Sequence, residues 1–302
     1  MKCGRASVVS IVAALAAGLA TPALADDGSE LTGTLKQVKA SGTVALGYRE
    51  SSIPFSYLPK SGEEPIGYSI DLCREIVADI MQEFAGAPVK IAYRKVTSES
   101  RIPAVRDGTV DLECGSTTSN FERRKEVAFS PVFFVAGTKL MVARNSGIAS
   151  YRDLGGKTVV VTAGTTNEAA LRAIAQKQRI DVKIVNGKDH AESLAMLTSG
   201  KVDAFATDDV LLYGFIATQG LGDRFHVVGD YLSYDPYGLM YRKDDPSFAA
   251  VVDRTFARLA QSRELVQLYN RWFQLRLPTG ETMDLQMSPQ LEELFRVEGV
   301  PD

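Results

Sequence analysis

From Thr43 onward the chain switches repeatedly between two hydrophobic periods. "TVALGYRE" (43–50) reads as a half-buried strand. "GYSIDLCREIVADIMQEF" (67–84) places Ile70, Cys73, Ile76, Val77 and Ile80 on one face of a helix, and "VKIAYRKV" (89–96) returns to strand. "RIPAVRDG" (101–108) predicts a short helix ending at Gly108, and "TVDLECG" (109–115) a further strand. Strand–helix–strand order builds a mainly parallel sheet whose strand ends face a ligand crevice. The same order restarts at "KTVVVTAGTTNEAALRAIAQKQRI" (157–180), runs through "VKIVNGKDHAESLAMLTSGKVDAFATDD" (182–209) and enters the helix "VLLYGFIATQG" (210–220), so two α/β units are expected in one chain.

The connections between the units are long and extended. "EVAFSPVFFVAGTKLMV" (126–142) leaves the first unit, and "YDPYGLMYRKDDPSF" (234–248) leaves the second, followed by helical sequence from Pro246 through Trp272. A Tyr-Gly-Leu-Met-Tyr strand at 237–241 would return the chain to the first unit. The expected organisation is a discontinuous lobe (26–137 and 238–302), a continuous lobe (138–237), and two crossing segments about which the lobes hinge over a central cleft.

Ahead of this body, Lys2 and Arg5 precede an apolar stretch from Val8 to Ala20, and Ala23-Leu24-Ala25 lies before Asp26. That order is a secretory leader, 1–25, cleaved after Ala25. The apolar stretch falls short of the roughly 20 residues that span a bilayer, and Cys3 lies too early to be a lipid attachment site. An exported, soluble body is expected. Loss of the leader removes two cations and no anions, taking the formal charge from −3 to −5. With no basic run, this argues against nucleic acid or an anionic membrane as a partner. Two histidines, with Cys73 and Cys114, show no metal-ligand spacing, so no metal is expected. The two cysteines sit in apolar runs, and an exported protein leaves both readings open: buried thiols or a disulfide.

The chemistry gathers at strand ends. "TVDLECGSTTSNFERRKEVAFS" (109–130) passes from strand into Ser116, Thr117 and Thr118 and then reaches Arg123. Hydroxyls and a guanidinium at the cleft end of a strand suit a carboxylate, because Arg presents a planar fork of donors. The competing reading is that Ser119 or Asn120 caps a short helix and Arg123 and Arg124 are solvated. The second unit repeats the device in "VVVTAGTTNEAAL" (159–171), where Thr165 and Thr166 precede a helix whose N-terminal N–H groups favour an anion. No phosphate-loop pattern is present and no cofactor is expected. Arg101 opens a helix, where a cation opposes the local dipole, so an anion is expected to compensate it.

Taken together, "GYRESSIPFSY", "IGYSIDLC", "TSESRIPAVRDGTVDLECGSTTSNFERRKEVAFS", "VVVTAGTTNE", "KDHAESLAMLTSGKVDAFATDD" and "YGLMYRKDDP" resemble the glutamate/aspartate-binding periplasmic proteins of ABC importers, in the polar amino-acid solute-binding family. The resemblance runs through the mature chain in order. It implies a two-lobed, type II (Venus-flytrap) periplasmic binding fold, a periplasmic location, an acidic amino-acid ligand, a membrane permease as partner and action as a monomer. It implies that Arg123 clamps the ligand α-carboxylate with Thr118 and Thr166, and that Asp208 and Ser116 receive the α-ammonium. The side-chain carboxylate would fall to Arg49, Ser98, Arg101 and His190. Glu99, in "TSESR", departs from the pattern and would weaken acidic ligands if it faced the cleft. The resemblance implies a binder rather than an enzyme. A dehydratase acting on a small carboxylate is the alternative, since that chemistry occurs on the same fold but needs a base at the reacting carbon. The residues leave open glutamate against aspartate.

Overall fold

The computed structural model describes Met1, residues 31–60 and residues 62–300. Apart from Met1, the leader and its cleavage point after Ala25 lie outside the described residues. The first layer begins with α1 (Gly33–Ser41) and β1 (Thr43–Tyr48), then a small hairpin of β2 (Ser51–Ser52) and β3 (Ser56–Tyr57). It continues through α2 (Tyr68–Glu83), β4 (Lys90–Lys95), α3 (Arg101–Arg106), β5 (Leu112–Glu113) and β6 (Val127–Phe129). β1 lies between β4 and β5 and is parallel to both. The expected helix face, Ile70, Cys73, Ile76, Val77 and Ile80, is buried against this sheet. The strand expected at 109–115 is shorter than its pattern, although Cys114 N–H still donates to Gly47 O at 2.8 Å and keeps the segment along β1.

After β7 (Phe134–Ala136) the second layer runs β8 (Thr138–Ala143), β9 (Thr158–Thr162), α4 (Thr166–Gln178), β10 (Lys183–Gly187), α5 (His190–Thr198), β11 (Ala204–Asp208), α6 (Asp209–Thr218) and β12 (Phe225–Val228). β9 is parallel to β10 and β11, while β8 is antiparallel to β11 and β12. Apolar clusters cover both faces of this sheet, as near-continuous runs such as "TVVVT" require. The chain then returns through β13 (Asp235–Tyr237) to β14 (Met240–Arg242), which inserts antiparallel between β5 and β6. Sheet orders are therefore β4-β1-β5-β14-β6 and β10-β9-β11-β8-β12. The helices α7 (Pro246–Gln261), α8 (Glu264–Tyr269) and α9 (Pro289–Glu298) complete the structure. The helix expected from Pro246 through Trp272 breaks at Arg263, whose φ of 63° is left-handed, and closes with a π turn at Asn270–Gln274.

The two crossings, β7 and β13, pair with each other, Phe134 opposite Tyr237 and Ala136 opposite Asp235. Their aromatic residues are built into the core of the first layer. Phe134 stacks on Phe273 at 4.9 Å, and Phe55 meets Phe134 at 5.0 Å and Tyr237 at 5.1 Å. Such ring pairs contribute about 0.5–1.5 kcal/mol each beyond burial of area, so the ribbon is anchored firmly at its root.

The cysteine question resolves toward a bond: Cys73 in α2 and Cys114 after β5 form a disulfide, Cα–Cα 6.2 Å, closing a sequence separation of 41. A loop of that length corresponds to about 4 kcal/mol of unfolded-chain entropy. Replacing both cysteines with Ser is expected to lower the urea unfolding free energy by about that amount. Reductant should then have no further effect on the double variant.

Candidate functional site

Of the nine residues singled out in the sequence, all but Arg123 lie at the C-terminal end of a strand or in the segment that follows it, and Arg123 lies further on, ahead of β6. Arg49 follows β1, Ser98 lies in the loop after β4, Arg101 opens α3, Ser116 and Thr118 follow β5, and Arg123 begins a short 3-10 turn, Arg123–Lys125. From the second sheet, Thr166 opens α4, His190 opens α5 and Asp208 ends β11. Arg123 and Thr166 are half-buried and the other seven are buried, Arg49 and Arg101 to 2% exposure. Capping does not consume them. Neither Thr165 nor Asp208, at the N-cap positions of α4 and α6, uses its side chain as a cap, and α5 is capped by Asp189, which accepts from Glu192 N–H.

The competing reading of "SNFERR" is half right. Asn120 Oδ1 does accept from Arg123 N–H at 2.9 Å, and Arg124 is exposed over the Phe129 ring. Arg123, however, turns inward, donating to Thr118 O at 2.9 Å and, across to the second layer, to Gly164 O at 3.3 Å. The Gly164 turn approaches the first layer so closely that an added Cβ would stand 2.8 Å from Ser98 C and from Glu99 N. Glu99 itself is exposed, so its side chain does not enter the site.

Three guanidinium groups meet here. Arg101 Nη1 donates to Ser116 O at 3.2 Å and to Thr117 Oγ1 at 2.6 Å. Burial, and for Arg49 and Arg123 the proximity of Arg101, holds their pKa values down, Arg49 to about 9 and Arg123 to about 10. His190 pairs through Nδ1 with Thr162 Oγ1 at 2.8 Å, and burial plus the cations of Arg49 and Arg101 hold its imidazole well below the usual range. Burial, then the neighbouring Asp235, pushes Asp208 up to about 7. Its Oδ1 accepts from Asn167 at 2.7 Å and its Oδ2 from the Tyr237 hydroxyl.

Among the described residues, buried side-chain atoms with no hydrogen-bond partner include Arg49 Nη1, Ser98 Oγ, Arg101 Nε and Ser116 Oγ. Buried donors left unpaired cost about 1–3 kcal/mol each. Four such atoms on the segments that follow β1, β4 and β5 are therefore an arrangement suited to receiving acceptor oxygens.

Sequence reasoning passed over Glu113, Asp235, Asn167 and Tyr237. Asp235, in a crossing strand, accepts from Thr118 Oγ1 at 3.1 Å, from Thr166 Oγ1 at 2.9 Å and from Ser233 Oγ. With their protons committed to Asp235, the two threonine hydroxyls present lone pairs, rather than donors, to a bound group. Nothing in "YDP" advertises this, because the three partners lie 69 or more positions away or in a local turn.

The family model for bacterial extracellular solute-binding proteins, family 3, matches residues 44–275. The chain is 44% identical over 287 residues to the L-glutamate/L-aspartate-binding protein of Pseudomonas aeruginosa, covering 95% of this chain and 93% of that one. It is 37% identical over 298 residues to the glutamate/aspartate import solute-binding protein of Escherichia coli, covering 98% and 97%. Among solved structures, the ancestral amino acid-binding protein AncCDT-1, a precursor of cyclohexadienyl dehydratase, matches with a TM-score of 0.69 at 27% identity, over 80% of this chain and 99% of that one.

The depressed His190 pKa has a direct consequence. Its imidazole should stay neutral through pH 6.5, so an NMR titration of its ring Cε1–H should show no midpoint near that value. A midpoint at 6.5 would mean that the ring is neither withdrawn from water nor faced by the cations of Arg49 and Arg101.

Proposed function

The chain belongs to family 3 of the bacterial extracellular solute-binding proteins, and from that premise we propose that it captures glutamate or aspartate between its two lobes and delivers it to the permease of an ABC importer. Its role is binding, as in the relatives named above, and not turnover. The observation that carries the ligand class is the set of unpaired, buried polar atoms on Arg49, Ser98, Arg101 and Ser116 beside the half-buried guanidinium of Arg123. An apolar or cationic ligand would leave those donors unpaired, whereas a second carboxylate supplies acceptors for them.

Under this reading Arg123 takes the α-carboxylate, helped by the N-terminus of α4 at Thr166. Asp208 takes the α-ammonium, joined by Ser116; Thr118, expected beside the α-carboxylate, is assigned to the ammonium instead because its hydroxyl donates to Asp235 and turns lone pairs to the ligand. Arg49, Ser98, Arg101 and neutral His190 surround the side-chain carboxylate. The lobes are taken as 26–137 with 238–302, and 138–237; contacts made to both by one ligand favour their closure. The leader is taken to direct the protein to the periplasm with cleavage after Ala25. A body of charge −5 acting as a monomer, without nucleic acid, fits the rest.

Two measurements test the assignment. Removing one partner of a desolvated charge pair typically costs ~2–5 kcal/mol, and 1.4 kcal/mol is about tenfold. Arg101→Ala should therefore weaken glutamate by roughly thirtyfold or more and glutamine far less, while Arg123→Ala weakens both. Equal losses for Arg101→Ala by isothermal titration would show that Arg101 does not hold the side-chain carboxylate. The second measurement concerns pH. Asp208 is a neutral acid below about 7, and it must ionise to pair with an ammonium. The dissociation constant should then be flat above about pH 7 and rise by about tenfold per unit below it. Calorimetry in buffers of different ionisation enthalpy should register proton release at pH 6 and little at pH 8.

A further inference from the structure

Glu113 is a fully buried carboxylate at the centre of the arginine cluster. It ends β5, opposite Gly47 of β1, two residues before Arg49. Its Oε2 accepts from Thr117 Oγ1 at 2.8 Å, and that same oxygen accepts from Arg101 Nη1 at 2.6 Å, so one hydroxyl links the carboxylate to the guanidinium. On the other side the carboxylate lies along Arg49. A Cβ added at Gly115 would stand 2.2 Å from Glu113 Oε1 and 3.1 Å from Arg49 Cγ. Oε1 is buried with no hydrogen-bond partner. The field of Glu113 favours the charged form of Arg49, Arg101 and Arg123 alike.

Asp235 accepts from the hydroxyls of Thr118, Thr166 and Ser233, and Asp208 from Asn167 and Tyr237. Such hydrogen bonds leave a carboxylate's charge in place, and Asp235 and Asp189 act on Arg123 and Arg49 respectively. Of the anions about the cluster, Glu113 acts most strongly on each of the three guanidiniums. Resting on the acidic amino-acid reading above, Asp208 matches the ligand ammonium and the two ligand carboxylates add to the charge that Glu113 already supplies. A cluster changed by one charge in either direction leaves a buried charge less well compensated, with a desolvation cost.

We propose that Glu113 determines ligand selectivity, compensating one of the three arginines in advance so that the site is matched to amino acids with two carboxylates. Glu113 touches no ligand in this scheme; it acts through Arg49 and Arg101 as a positioning and charge-setting residue.

The readout is the ratio of glutamine to glutamate dissociation constants by isothermal titration. Glu113→Gln makes the pocket more positive and should raise that ratio about tenfold, with glutamate tightened or unchanged. Arg49→Gln alone makes the cluster one charge more negative and should lower the ratio at least tenfold. Arg49→Gln combined with Glu113→Gln restores the net charge, buries one fewer charge of each sign, and should restore the ratio in part, to about tenfold above that of Arg49→Gln alone, short of the wild type because the Arg49 contact to the ligand is gone. The double variant decides the matter even where Glu113→Gln alone fails to fold. A residue that only supports the fold would weaken both ligands equally, leaving the ratio of Glu113→Gln unmoved and that of the double variant unrestored; either result overturns the proposal. A wild-type protein that binds neither glutamate nor aspartate fails on the proposed function instead.

Discussion

Three guanidinium groups withdrawn from water beside one another repel, and each loses hydration that a protein interior does not replace unaided. Much of the site can be read as a response to that constraint. Glu113 and Thr117 meet Arg101, backbone carbonyls of Thr118 and Gly164 meet Arg123, and Arg49 Nη1 and Arg101 Nε remain buried without a hydrogen-bond partner. Burial also explains the neighbours: an imidazole kept neutral and a carboxyl pushed up to about 7 are what desolvation and local charge produce together.

A site assembled from both sheets needs the two layers to meet repeatedly in one geometry, and the crossing ribbon supplies it. β7 and β13 hydrogen-bond to each other, and their rings are stacked into the first layer with Phe55, Tyr269 and Phe273. The ribbon is thereby held on its first-layer side. Asp235 begins β13 and holds a hydroxyl from each layer, those of Thr118 and Thr166. The disulfide between Cys73 and Cys114 fixes α2 to the segment that carries Ser116–Thr118, so the hydroxyl loop is tethered to a long helix of its layer.

The hydrophobic periods of the sequence were enough to place strands and helices in order, because period 2 and period 3.6 follow from backbone geometry alone. They placed the hydroxyl residues Ser116–Thr118 and Thr166 just past strands, and the resemblance of motifs such as "ECGSTT" and "KDH" supplied the rest of the candidate set and its roles. Where the pattern misled, a backbone detail intervened: a left-handed residue at Arg263 splits the expected long helix, and the strand at 109–115 is curtailed although it still follows β1.

What the sequence by itself determined is therefore the alternation of elements, the two crossings and the residue types available at each strand end. What only the tertiary structure decided is which of two like neighbours does what. Arg123 turns in while Arg124 stays in solvent; Asp208 faces the arginines while Asp209 accepts from Gly137 N–H and Tyr231. Cys73 meets Cys114, and Glu113 lies beneath three arginines that are distant from it along the chain or separated by a turn. Periodicity reports the face on which a side chain emerges, but burial and charge pairing depend on what other segments bring within a few ångströms, and that is set by how the layers pack.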